Sequence, residues 1–307
     1  MDPQKKIITR IFGGLGNQLF CYAAARRLAL TNNAELVIDN ISGFTNDFQY
    51  SRKFALDYFN ISARKATPIE RLEPFSHLRR YLKRSYNQFI PFEERTYIRQ
   101  EGNNFDSRLL QVQPRGTLYL DGYWQSENYF KDVEKNIRED LIIQIPTDKY
   151  SQFIVQKIRN SCAVAIHVRW HDSISKLMGN NISIEYYHRA LRIIEQKVKS
   201  PSYFLFTDDP DAAFAKLDLP KDRVTYVSQD RGDLATLNKG FDEKAIADIW
   251  LMSKCQHFIT ANSTFSWWGA WLSECEEKIV VTPGIKIDGS KMAWGFTGLI
   301  PDKWIKC

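Results

Sequence analysis

Apolar residues in this chain come in short blocks that end abruptly on polar side chains. Lys6-Ile7-Ile8-Thr9-Arg10-Ile11-Phe12 is rich in β-branched residues and reads as a strand. Gly13-Gly14-Leu15-Gly16-Asn17-Gln18 follows, then an alanine-rich stretch from Leu19 to Leu30 with good helix propensity. Leu36-Val37-Ile38 reads as the next strand. Residues 44–115 are irregular, rich in aromatic and basic residues, with a helix expected over Pro68 to Lys83. Thr117-Leu118-Tyr119-Leu120 is strand-like and ends at Asp121-Gly122-Tyr123-Trp124-Gln125.

The second half is more regular. Strand-like runs cover 162–168, 203–206, 224–227, 257–260 and 278–282. Helical patterns lie between several of them. Ile184 to Val198 carries Tyr187, Leu191, Ile194 and Val198 at helical spacing. Ala245 to Met252 is similar and is opened by Asp242-Glu243, acids that suit a helix N-terminus. Strands alternating with helices predict parallel, doubly wound sheets. The expected class is α/β, with two Rossmann-like domains facing a cleft. A boundary near Pro146 to Ser151 gives domains 1–150 and 151–307.

Three of the runs stop at polar clusters: His167-Val168-Arg169, Thr207-Asp208-Asp209 and Thr260-Ala261-Asn262-Ser263-Thr264. Ligands of open parallel sheets bind outside the carboxyl ends of the strands, so these clusters predict one pocket. His167 and Arg169 fall on the same face of an extended segment. An arginine fork holds phosphate bidentately and keeps its charge; a plainer reading pairs Arg169 with Asp172. Asp208 and Asp209 suit a ribose, a base edge or a metal. Asp209-Pro210 also resembles a helix start, with Asp as the cap and Pro in the first turn. Ser263 and Thr264 place hydroxyls and backbone N–H groups at a helix start, a second anion site. Trp267, Trp268 and Trp271 read mainly as core.

The glycine loop, with Gly13, Gly14 and Gly16, lets a ligand approach backbone N–H groups closely, and Asn17 and Gln18 add polar groups. Its G-G-x-G spacing fits neither a dinucleotide fingerprint nor a Walker loop. That argues against a nicotinamide or flavin oxidoreductase, while a simple strand-to-helix turn remains the plainer alternative.

Composition narrows the classes. With 44% hydrophobic and 25% charged residues, the chain fits a soluble globular protein. No window approaches the ~20 apolar residues of a membrane span, and the N-terminus lacks a secretory h-region, so a cytoplasmic location is expected. Five scattered cysteines without a C-x-x-C pair read as free thiols rather than zinc ligands. The net charge of +6 is modest and no nucleic-acid motif accompanies it. Arg79-Arg80 and Lys83-Arg84 form the densest basic stretch, read either as a solvated helix face or as an attraction to an anionic membrane surface.

Taken together, Gly13-Gly14-Leu15-Gly16-Asn17-Gln18-Leu19-Phe20, Gly122-Tyr123-Trp124-Gln125-Ser126, His167-Val168-Arg169, Phe206-Thr207-Asp208-Asp209 and Asn262-Ser263-Thr264-Phe265-Ser266-Trp267-Trp268-Gly269-Ala270-Trp271-Leu272 resemble the bacterial α-1,2-fucosyltransferases of glycosyltransferase family eleven. The resemblance spans nearly the whole chain. It implies a metal-independent, cofactor-free, inverting enzyme of the GT-B type that moves L-fucose from GDP-β-L-fucose to the 2-hydroxyl of a terminal galactose. The acceptor would be an oligosaccharide or a lipid-linked glycan, with peripheral association at the inner membrane face. The resemblance also implies roles. Arg169 would hold the β-phosphate, while His167 and Asp208 or Asp209 would meet the guanosine. Asn262, Ser263, Thr264 and Phe265 would line the donor site, and Gly13, Gly14, Gly16, Asn17 and Gln18 would face it. Tyr123, Trp124 and Gln125 would lie on the acceptor side. Asp172 is the first candidate for a general base, then His171 and Glu185. The family's usual His-x-Arg-Arg-Gly-Asp reads here His167-Val168-Arg169-Trp170-His171-Asp172, so the second arginine and the glycine are replaced. The competing reading is a non-catalytic nucleotide- or sugar-binding module on the same fold.

Overall fold

The structure is a computed structural model and describes residues 4–48, 50–169, 182–207, 209–227, 241–287 and 293–307. Two compact units divide the chain: Met1–Ile142 with Thr297–Leu299, and Ile143–Phe296 with Ile300–Cys307.

The first unit holds β1 (Lys6–Arg10), α1 (Leu15–Thr31), β2 (Glu35–Asp39), β3 (Arg64–Lys65), α2 (Ser76–Asn87), β4 (Tyr97–Arg99), β5 (Thr117–Asp121) and α3 (Glu134–Asp140). Its five-stranded sheet has the order β3-β2-β1-β5-β4, and every pairing is parallel. The chain winds outward from β1 to β3 on one side and fills β5 and β4 on the other. The direction therefore reverses between β1 and β5. Ile7 and Ile8 of β1 are buried in the middle of the sheet.

Helix α1 begins four residues before the alanine-rich stretch. The Gly14 carbonyl accepts from the backbone N–H groups of Asn17 (2.9 Å) and Gln18 (3.0 Å), so the first turn is built from the glycine loop itself. Most of this helix is buried, as expected of an element apolar on nearly every side. The helix expected over Pro68 to Lys83 is instead α2, which starts only at Ser76. Pro74 lacks an N–H and disfavours helical geometry in the residue before it, so Pro68 to Phe75 form a turn and Phe75 takes φ 65°. Strand β4, within the stretch expected to be irregular, is three residues long and too short to show a period.

The second unit holds α4 (Lys149–Arg159), β6 (Cys162–Val168), α5 (Ile184–Lys197), β7 (Pro201–Thr207), α6 (Pro210–Leu217), β8 (Val224–Tyr226), α7 (Phe241–Ser253), β9 (His257–Ile259), α8 (Thr264–Leu272), β10 (Val280–Thr282) and β11 (Ile305–Lys306). Its six-stranded parallel sheet runs β11-β10-β9-β6-β7-β8. Strands β6 to β8 step one way and β9 to β11 the other, which is the doubly wound order with its reversal between β6 and β9. Val164, Ile166 and Val168 of β6 pack with Tyr187, Ile194, Tyr203 and Leu205 in the core beneath that reversal. The Tyr186 hydroxyl donates to the carbonyls of Thr260 (2.7 Å) and Val281 (3.1 Å), tying α5 to the far half of the sheet. Among the described residues no helix is long and apolar enough to cross a membrane.

Candidate functional site

In each unit most of the polar residues singled out from the sequence follow the two strands between which the strand order reverses; Thr207 and Asp209 follow the next strand, β7. In the second unit β6 ends at Val168, and the half-buried Arg169 follows it directly. The neighbouring strand β9 ends at Ile259. The chain then runs through the buried Thr260, Ala261 and Asn262 into Ser263, the cap of α8. The Ser263 hydroxyl accepts from the Phe265 N–H (3.3 Å), and its carbonyl accepts from the Ser266 hydroxyl (3.2 Å). The Phe265 ring lies 5.6 Å from the His167 ring, centroid to centroid. Two strand ends far apart in sequence thus become one surface. It combines a guanidinium, a buried imidazole and a helix N-terminus whose N–H groups favour an anion.

Thr207 closes the third strand of the set. Its hydroxyl accepts from the Asp209 N–H (3.1 Å), and the Asp209 carboxylate accepts from the Ala212 N–H (3.0 Å). Asp209 is therefore the cap of α6, with Pro210 in the first turn. Asp208, and the Trp170, His171 and Asp172 segment, lie outside the described residues. Glu185 is exposed in the first turn of α5. Hydrogen bonds from its own backbone N–H and from Ser183 lower its pKa, and the carboxylate stays ionised.

Trp267 and Trp268 are completely buried, and Trp271 nearly so. They form a cluster: Trp267 stacks on Trp271 at 6.3 Å and meets Trp268 edge-on at 5.1 Å. On the other side of α8, a Cβ placed on Gly269 would lie 2.2 Å from the Met252 sulfur, so any larger residue there would force the Met252 side chain of α7 to move. This motif sets the position of the helix whose N-terminus faces the site.

In the first unit the glycine loop follows β1, and Gly122-Tyr123-Trp124-Gln125 follows its neighbour β5. Gly13 takes φ 79°, and a Cβ there would lie 2.9 Å from the Asn17 amide and 3.0 Å from the Tyr123 hydroxyl. Tyr123 stacks on Phe12 at 4.3 Å, and burial pushes its phenol up to about 12. The Gln125 amide donates to Asn17 Oδ1 (2.8 Å), joining the two strand ends.

Two expected contacts turn out to be internal. The buried Gln18 amide donates to the carbonyls of Gly13 (3.0 Å) and Lys53 (2.8 Å) and accepts from the Ala55 N–H (2.9 Å). It fastens residues 53–55 to the glycine loop. Trp124 is buried with φ 55° and meets Tyr129 edge-on, so its ring offers no open face to a sugar. Gln100, not singled out from the sequence, accepts from the N–H groups of Tyr123 (2.8 Å) and Trp124 (2.9 Å) and holds that turn.

The sequence reading also passed over an ionic group at the end of the same sheet. Arg10 Nη1 donates to Asp121 Oδ1 (3.0 Å) and Nη2 donates to the Ser42 carbonyl (3.2 Å). The Tyr97 hydroxyl donates to Asp121 Oδ2 (2.7 Å). Burial works against the Arg10 charge, but Asp121 outweighs it and the pKa is raised. Arg52 is a further cation. It lies over the Tyr50 ring at 4.1 Å, and its Nε is 3.9 Å from where a Gly14 Cβ would stand. It comes from the aperiodic stretch, where no pattern marks one arginine from another. Among the described residues no cluster of His, Cys, Asp and Glu suits a metal ion.

Comparison with known proteins gives consistent matches. The family described as glycosyl transferase family 11 matches residues 6–292. An alpha-1,2-colitosyltransferase of Escherichia coli is 26% identical over 304 residues, covering 98% of each chain. The O-antigen biosynthesis glycosyltransferase WbnK of Escherichia coli is 28% identical over 310 residues, covering 95% of this chain and 97% of the relative. Among solved structures, the alpha-1,6-fucosyltransferase NodZ soaked with GDP-fucose superposes with a TM-score of 0.50 at 15% identity, covering 88% of this chain and 92% of NodZ. A variant of Arabidopsis thaliana FUT1 in complex with GDP superposes with a TM-score of 0.54 at 14% identity, covering 97% of this chain and 75% of FUT1. At these identities the structural likeness speaks to fold, and the fold is of the GT-B type: two units, each an α/β parallel sheet.

Proposed function

The chain belongs to glycosyl transferase family 11, and we propose that it is an inverting transferase moving L-fucose from GDP-β-L-fucose to the 2-hydroxyl of a terminal galactose. The observation that carries this reading is the strand order, which puts the end of β6, followed by Arg169, beside β9, whose end leads into the capped N-terminus of α8. Fixed cationic and N–H donors there suit a sugar-nucleotide diphosphate. The names of two relatives support the sugar class, one transferring colitose in an α-1,2 linkage and one soaked with GDP-fucose.

In this mechanism the bond between fucose C1 and the β-phosphate oxygen breaks, and its electron pair leaves with GDP. Arg169 and the α8 N–H groups stabilise the charge that develops on the phosphate, the kind of preorganised electrostatics that contributes most to catalysis at such sites. The galactose 2-hydroxyl oxygen attacks the opposite face of C1, turning a β-linked donor into an α-linked product. Its proton passes to Asp172 or, if bond breaking runs far ahead, to solvent. His167 and Asp208 or Asp209 contact the guanosine. The first unit faces the acceptor with Tyr123 and Gln125, while Trp124 and Gln18 hold the loops in place. The reaction uses no metal and no cofactor, and the acceptor is an oligosaccharide or a lipid-linked glycan ending in galactose.

A second reading has an observation in its favour. The full-length similarity to a colitosyltransferase fits GDP-colitose as donor, colitose being L-fucose without its 3-hydroxyl. The test is to incubate the protein with each donor and a panel of β-galactosides, measuring released GDP and the linkage formed. An α-1,2-fucosyl product with GDP-fucose supports the first reading. A kcat/KM at least ~10-fold higher with GDP-colitose moves the assignment to the second, since one hydroxyl contact is worth that much or more. Binding of GDP without transfer to any galactoside overturns both and leaves a binding module.

A further inference from the structure

Helix α2 is amphipathic in the reverse sense. A surface helix normally turns its apolar stripe inward and its charges outward. Here the residues that face the rest of the first unit are polar: Arg80 and Asn87 are buried. The cause is the edge strand beneath. Asn87 Oδ1 accepts from the N–H groups of Thr96 (2.8 Å) and Tyr97 (3.1 Å), and its amide donates back to the Lys83 carbonyl (2.8 Å). A polar residue is required at that seat, and the apolar side of the helix is left facing out.

That outward side is apolar apart from Ser85, which is half-buried. At about 100° per residue, Leu78, Tyr81, Leu82 and Tyr86 fall within an arc of about 140°. Phe75 and Phe89 extend it just beyond the two ends, and exposure across these six ranges from 56% at Leu82 to 88% at Phe89. No acidic residue falls in the arc. Arg79 and Lys83 lie along one flank and Arg84 along the other. Among the described residues none of the three has a carboxylate partner. Arg84 also lines a recess of about 200 Å³ with Arg95, Arg99 and Glu101, and Glu101 pairs with Arg95 at 3.7 Å.

An exposed stripe of leucine, phenylalanine and tyrosine with cations on both flanks is the composition of a helix lying in the plane of a bilayer surface. Tyrosines suit the headgroup level, where one end of the ring is apolar and the hydroxyl is wet. The flanking charges are all of one sign, complementary to anionic headgroups. We propose that this face of the first unit docks on a bilayer containing anionic lipid. The apolar arc of α2 enters the boundary between headgroups and acyl chains, and Arg79, Lys83 and Arg84 meet lipid phosphates.

The test is flotation of the full chain with vesicles of phosphatidylcholine alone and of phosphatidylcholine mixed with phosphatidylglycerol. The expected result is binding at least ~10-fold stronger to the mixed vesicles, weakened by salt. Two triple variants should each lose that binding by ~10-fold or more: Leu78→Ser with Leu82→Ser and Phe89→Ser, and Arg79→Glu with Lys83→Glu and Arg84→Glu. Their unfolding midpoints, which should match the parent's, separate loss of docking from loss of fold. The lipid and salt dependence of the unmodified chain tests the idea without any variant. Absence of flotation, equal binding to neutral vesicles, or binding indifferent to both variants overturns the proposal. So does self-association abolished by the serine variant without any vesicle binding, which would assign the face to a second copy of the chain.

Discussion

Arg169 follows a buried strand directly, and its backbone position is set by that strand rather than by a loop. Arg169→Ala should lower turnover by at least ~100-fold, by analogy with removal of a single oxyanion donor. A rate within a few-fold of the parent, measured with saturating donor, would remove it from the leaving-group role. Gln18 calls for a different assay. Its amide makes three hydrogen bonds to backbone groups, two of them buried. Gln18→Ala leaves those groups unsatisfied and should destabilise the first unit by about 2–4 kcal/mol, read from urea unfolding. The sequence shows a polar side chain beside a strand end at both places, a guanidinium in one and an amide in the other. Only the hydrogen-bond partners separate a side chain available to ligand from one that fastens a loop. Trp124 makes the same point: its motif position suggests a sugar platform, and its burial in the structure rules out stacking.

At the scale of elements, strand β9 and helix α8 carry their own tests. His257 opens β9, and its Nδ1 accepts from the Ile279 N–H (3.1 Å). Burial lowers its pKa below the usual 6.5, so the folded state holds this ring neutral where the unfolded chain binds a proton. Between the lowered folded value and about 6.5 the unfolded state therefore binds more protons, and stability falls as pH falls through that window. His257→Asn, which can still accept at that point, should flatten this part of a melting-temperature profile taken from pH 7.5 down to pH 5. Gly269→Ala should cost about 1–3 kcal/mol through overpacking against Met252. A double-mutant cycle with Met252→Ala should show coupling of the two sites, whereas strict additivity would mean the helices separate freely. These elements were readable from the chain where their period was long enough: β1, α1, β6, α5 and β7 all stand close to where alternation and propensity place them. Helix α2 was displaced by Pro74. Strands β3, β4 and β11, two or three residues long, have no apolar β-branched run to mark them in the sequence, unlike the equally short β9 and β10.

Across the whole molecule, the diphosphate and guanosine contacts proposed for Arg169, His167, Asp209 and the N-terminus of α8 fall in the second unit. Saturation with GDP at ~100 times its Kd should stabilise that unit by about 2.7 kcal/mol. In calorimetry one transition should therefore move while the unfolding of the first unit stays put, and Arg169→Ala should shrink the shift. Turnover should also persist in EDTA; a loss restored by a divalent cation would refute metal independence. Docking on anionic lipid, if the flotation test bears it out, would hold the enzyme where a lipid-linked acceptor lies. By itself the sequence determined the α/β class, the parallel winding, the polar strand ends and the family, because these depend on local periodicity and on motifs that are contiguous in the chain. Tertiary structure alone decided which of those polar ends meet. The strand order places β6 beside β9 and β1 beside β5, and that pairing is a long-range choice no local pattern encodes. It also decided that α2 faces outward with its apolar side, because the edge strand needs a polar seat at Asn87, and a helical period records amphipathicity without recording which side is buried.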